Sequence, residues 1–110
     1  MSISVAERPK VPVDIGNAFI QLATEWKSKS RYLSNTAQMA LMRPYQRIIG
    51  MGPAVVPFIL AELECEPNQW FWALEAITGE NPVPAESAGN VREMARAWIE
   101  WGQSSGVYPQ

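Results

Sequence analysis

The chain has 110 residues, 47% of them hydrophobic, with five Trp, nine Pro, one Cys and no His, which suits a single domain and leaves no room for a second core. Without His there is no Ser-His-Asp or Cys-His nucleophile pair, no imidazole general base and no His-ligated metal, and one Cys closes neither an internal disulfide nor a Cys-rich zinc site. A net charge of −2 is not the balance of a nucleic-acid binder, but it conceals opposite halves, +4 over residues 1–47 and −6 from residue 48 onward.

Pro9 and Pro12 predict an extended or mobile lead-in over residues 1–13. Asp14 offers a cap, and Ile15, Phe19, Leu22, Ala23 and Trp26 follow at helical spacing, giving a first helix that ends in the basic run Lys27–Arg31. Asn35 with Gln38 three residues later marks a short second helix, which Arg43-Pro44 ends or bends. Tyr45, Ile48 and Ile49 recur at helical intervals before Gly50-Met51-Gly52 breaks the run. Pro53 opens a segment apolar nearly all round, with Val55, Val56, Phe58, Ile59, Leu60 and Leu63, and Pro57 is expected to bend its first turn. Pro67 predicts a helix restarting there and running through Trp70, Trp72 and Thr78 to a stop at Gly79. The stretch 80–89 reads as a proline-bearing loop. Asn90 and Glu93 then resemble a capping box ahead of Val91, Met94, Ala95 and Trp98, in a helix ending near Gly102. No alternating strand pattern occurs.

Residues 49–79, with a glycine entry, an early helix proline, a leucine-rich first helix and an alanine-bearing second one, resemble a single HEAT-type helical hairpin. Trp70 and Trp72 depart from the Ala or Val usual in its second helix. The stretch 44–102, with its Trp-Phe-Trp-Ala-Leu, Thr-Gly-Glu-Asn-Pro-Val-Pro and Trp-Ile-Glu-Trp-Gly runs, is similar to a small uncharacterised prokaryotic protein family, a likeness to which no activity attaches. The HEAT resemblance implies a scaffold that presents a surface to a protein or nucleic-acid partner.

Four of the five Trp fall on the two predicted helices 67–78 and 90–102. Trp70 and Trp72, about 200° apart around a helix, cannot share a face, so that if one enters the core the other tends to point outward, whereas Trp98 and Trp101 can line one side. Burial is the commonest use of such rings, but an exposed Trp, with Tyr45 or Phe71, is also what anchors an interface. The candidate partner-binding residues are therefore Trp70, Trp72, Trp98, Trp101 and Tyr45. A second candidate is the strip Trp26–Tyr32, where bases interleave with aromatics; Lys27, Lys29 and Arg31, with Arg43 and Arg47, form the candidate nucleic-acid contact. Glu62, Glu64, Glu66, Glu75 and Glu80 read as a solvated acidic face rather than a catalytic pair, and Cys65, without a nearby His, as an unactivated thiol. No residue pattern points to a metal or a cofactor.

The expectation is an all-α domain, a compact bundle of four or five helices over residues 14–104 around a HEAT-like hairpin at 53–78, followed by an irregular tail at 105–110. No window reaches the ~18 apolar residues of a membrane span and no signal-peptide pattern opens the chain, so a cytoplasmic location is expected. The expected function is non-enzymatic: a protein-binding module, acting as a small adaptor, inhibitor or neutralising protein in a bacterial system, with Trp anchors inside an acidic rim. The alternative is a nucleic-acid-associated accessory protein using the bases of 27–47.

Overall fold

The computed structural model describes residues 12–109, and the chain there is all-α, with six α-helices, two 3-10 turns and no strand. Helix α1 spans Pro12–Ser30. It begins two residues before the expected Asp14 cap, which lies inside the helix, because a proline in the first turn sacrifices only an amide that would lack an intrahelical partner anyway. The remainder of the expected lead-in, residues 1–11, lies outside the described residues. At the other end Lys27 and Lys29 occupy the last turn, where positive charge meets the negative end of the helix dipole.

Helix α2, Thr36–Leu41, starts as its sequence predicts: the Asn35 Oδ1 accepts the Gln38 amide at 3.0 Å. Met42 is extended and separates it from α3, Arg43–Gly50, with Pro44 in the first turn. The chain then pivots at Met51, and Gly52 at φ 77° admits a left-handed conformation that a side chain would resist. A 3-10 turn over Gly52–Val55 leads into α4, Val56–Cys65, so that Pro53 and Pro57 both stand in first turns where they remove no interior hydrogen bond. The bend between α3 and the segment Gly52–Cys65 is 111°. No single helix among the described residues is long and apolar enough to cross a membrane.

Pro67 does not restart the helix. Residues 66–70 are irregular, and α5 covers only Phe71–Thr78, closed by Gly79 at φ 73°, whose amide reaches the Glu75 carbonyl at 2.8 Å. The start at Phe71 has a tertiary cause. Its cap residue, Trp70, makes no side-chain capping bond; the hydroxyl of Tyr45 in α3 accepts the Ala73 amide at 3.0 Å and donates to the Gln69 carbonyl at 2.9 Å. A phenol from another helix thus does what a neighbouring Ser or Asp usually does. Burial, opposed by the backbone amides of Ala73 and Trp72, pushes the Tyr45 hydroxyl well above its ordinary range.

Helix α6 covers Val91–Ser105, three residues past its expected end. The Asn90 Oδ1 accepts the Glu93 amide at 3.1 Å, but the Glu93 carboxylate takes the Ser87 hydroxyl at 2.9 Å rather than completing a capping box. Gly102 is not a stop signal: an added Cβ would lie 2.5 Å from Leu60 Cδ1 and 3.1 Å from Tyr108 Cβ, so this glycine lets α6 approach α4. The stop is Gly106 at φ 80°. Beyond it the tail is irregular but docked, with the Val107 and Tyr108 amides on the Gly102 carbonyl and the Tyr108 hydroxyl donated to the Glu64 carboxylate of α4.

Helix α1 packs mainly on α3, α3 on α5, and α4 on α6. The segments expected to form one hairpin, α4 and α5, thus each find their principal neighbour elsewhere. The centre is aromatic. Trp70 lies 4.5 Å from Trp26, 5.5 Å from Phe19 and 5.6 Å from Tyr45, between ring centroids, and stacks almost parallel to Tyr45 at 6°. Trp26 also donates its indole N–H to the Met39 carbonyl at 2.9 Å, tying α1 to α2.

Candidate functional site

Burial divides the five candidate anchors. Trp70, Trp98 and Tyr45 have no exposed surface. They are core residues, and the expectation that they contact a partner is corrected: Trp70 fills the space between α1 and α3, Tyr45 caps α5, and Trp98 lies on the buried side of α6. Trp101 is half-buried and packs edge-on against Trp98 at 5.3 Å. Only Trp72 keeps half its surface in solvent, at 52%. The ~200° between positions 70 and 72 therefore resolves with Trp70 in and Trp72 out. The neighbours carried that signal: Trp70 and Leu74, four apart, share the core side, while Trp72 is followed at three and four residues by Glu75 and Ala76, both exposed.

Trp72 borders a groove of about 450 Å³ between α5 and α6, whose other walls are Phe71, Glu75, Ala76 and Met94. Phe71 is buried and Met94 half-buried, so the floor is apolar and rigid on the α5 side and adaptable at the thioether. The groove carries one carboxylate, Glu75, which makes no ion pair with any described residue. In the sequence Met94 is one member of a helical stripe and Glu75 one member of an acidic face, and neither points to a groove until α5 and α6 meet.

The lysines of the expected strip are engaged within the fold. Lys27 pairs with both Glu62 and Glu66 of α4, and Lys29 pairs with Glu25 at 2.9 Å one turn back on α1. Burial lowers the Lys27 ammonium, but the hydrogen bonds and charges of Glu62 and Glu66 outweigh it and hold the pKa above its ordinary value. Arg31 lies over the ring of Tyr32, 5.4 Å from its centroid, and that ring is 87% exposed. Arg47 lines a separate groove with Gln21, Leu22 and Glu25, nearly opposite Lys27 around α1. Trp26, the first ring of the expected stacking strip, has no exposed surface and cannot stack on a base.

The acidic residues are also partly engaged. Glu64 accepts the Tyr108 hydroxyl, and that bond, aided by partial burial and the Glu64 charge, raises the phenol to about 12. No group of three or more potential metal ligands occurs among the described residues. Cys65 is exposed, at the end of α4. Compared with known protein families, with curated proteins and with solved structures, the chain matches none.

Proposed function

We propose that this chain is a non-enzymatic protein-binding module of the cytoplasm, a small adaptor, inhibitor or neutralising protein that seats a protein partner on the α5–α6 face. The observation that carries the proposal is the half-exposed Trp72 beside an apolar groove. Leaving an indole in water forfeits burial free energy of about 25 cal/mol per Å² of apolar surface, so a partner that covers it gains what folding left unused. Tryptophan also leads the residues that dominate interface energetics. The acid at the groove is Glu75, which is exposed. Of the five residues first considered as anchors, the function rests on Trp72, with Trp101 as the remaining accessible ring.

The test is affinity capture from native lysate after nuclease treatment, with the native chain and Trp72→Ala side by side. A protein held by the native chain and lost from the variant supports the reading. Recovery of nucleic acid alone without nuclease, and of nothing with it, overturns it in favour of a nucleic-acid accessory role for Arg31, Arg43 and Arg47.

A further inference from the structure

We infer that the groove beside Trp72 takes a cationic side chain, an arginine or lysine from a basic segment of a protein partner, placed between the Trp72 indole and the Glu75 carboxylate. The inference rests on the protein-binding reading and names the chemistry of the partner. Positions 72 and 75 are three apart on α5, which makes them neighbours on one helix face, and both line the groove. An indole face attracts a cation more strongly than any other aromatic side chain does, and a carboxylate one turn away supplies the opposing charge.

Three acids of α1 and α4 have cations within the fold, and Glu64 and Glu93 accept hydroxyls from Tyr108 and Ser87. Glu62 and Glu66 hold Lys27, and Glu25 holds Lys29, whereas Glu75 has no basic partner among the described residues. No Lys or Arg occurs from residue 67 to residue 91, a stretch that carries Glu75, Glu80 and Glu86, so α5 and its flanking loops carry negative charge and no positive charge of their own. The bases of α6 do not line this groove; Arg96 borders a different depression, with Pro84, Ser87 and Glu93. A neutral or acidic partner covering Trp72 would strip water from Glu75 without replacing it, which disfavours that pairing. The apolar walls from Phe71, Ala76 and Met94 suit the methylene stem of a long basic side chain.

The probe is a synthetic helical peptide of about 14 residues with a leucine stripe flanked by arginines, titrated into the ¹⁵N-labelled full chain beside a counterpart in which citrulline replaces every arginine. The Trp72 indole N–H resonance should move with the arginine peptide, which should bind at least fivefold more tightly than the citrulline one. Glu75→Gln should weaken the arginine peptide at least threefold while leaving the citrulline peptide unchanged. Equal binding of the two peptides, a static Trp72 resonance, or an unaltered affinity in Glu75→Gln overturns the inference. Should a captured partner be lost with Trp72→Ala yet kept with Glu75→Gln, the cationic contact is refuted while the protein-binding reading stands; retention by both variants refutes that reading itself.

Discussion

Replacing Tyr45 by Phe isolates one oxygen atom on which a whole helix start depends. The hydroxyl accepts the Ala73 amide at 3.0 Å and donates to the Gln69 carbonyl at 2.9 Å, and both Tyr45 and Ala73 have no exposed surface. Phenylalanine preserves the ring, and with it the stack on Trp70, but water cannot replace the lost acceptor. An unsatisfied buried amide costs about 1–3 kcal/mol, and the net loss of the second bond adds about 1 kcal/mol, so a destabilisation of about 2–4 kcal/mol is expected. Against a total of about 5–15 kcal/mol for a domain of this kind, that is a large fraction. Urea unfolding followed by far-UV circular dichroism should show the midpoint falling with the slope unchanged. In a thermal scan, at about 4–8 °C per kcal/mol, the midpoint should drop on the order of 10–30 °C. A change below about 0.5 kcal/mol would refute the reasoning, because it would mean that α5 finds its cap without the phenol. The native hydroxyl, raised by burial, also favours the folded state only while protonated; its contribution is present below pH ~10 and declines as pH climbs past the ordinary tyrosine range.

Gly102→Ala should destabilise, by about 1–2 kcal/mol in chemical denaturation, since the new methyl meets the buried Leu60 and overpacking outweighs the helix-propensity gain. Gly50→Ala, in α3 with nothing within 4 Å of the added carbon, should be neutral or stabilising by up to about 1 kcal/mol, and equal effects at the two sites would contradict the close approach of α6 to α4. Tyr108→Phe should flatten the stability profile at high pH: the native phenol, held at about 12, favours folding fully below pH ~10 and loses that preference toward pH 12, so the native chain should lose more than the variant across this window. Parallel pH–stability curves would exclude the Glu64 contact. Iodide should quench a minor part of the tryptophan emission, most of which Trp72→Phe removes, because Trp26, Trp70 and Trp98 have no exposed surface; quenching of the whole emission would show the aromatic centre to be open.

Most of the helices are legible in the chain because their signals are local: Asn35 and Asn90 cap, Gly79 stops, and the stripe Phe19, Leu22, Ala23, Trp26 has one period throughout. Where the reading departs from the structure, the deciding contact is distant in sequence. Pro67 followed by a helical pattern looks like a helix start, yet the cap that α5 needs comes from Tyr45, and Asn68 uses its own carboxamide oxygen on the Gln69 amide at 2.8 Å. Gly102 looks like a terminator because glycine serves both as a helix stop and as a close-packing residue, and only Leu60 across the interface distinguishes the two roles. The same holds at the site. Helical geometry requires Trp70 and Trp72 to part company, but the groove itself exists only once Met94 of α6 arrives beside α5. The opposite charges of the two halves were visible as arithmetic; that Lys27 spends its charge on Glu62 and Glu66 was not.

The aromatic centre also sets an order of events for the chain as it is made. Phe19, Trp26, Tyr45 and Trp70 come from α1, α3 and the entry to α5, so three of these rings emerge well before the fourth, which touches them all. Until residue 70 is available the N-terminal helices have no hub around which to close, and they wait with large apolar faces uncovered. The contact that completes the centre spans half a chain length and delivers its stabilisation late, which favours a cooperative transition over a stepwise accumulation of helices. In a nascent chain held on the ribosome, the shortest length to acquire protease resistance should therefore be one that has released α5.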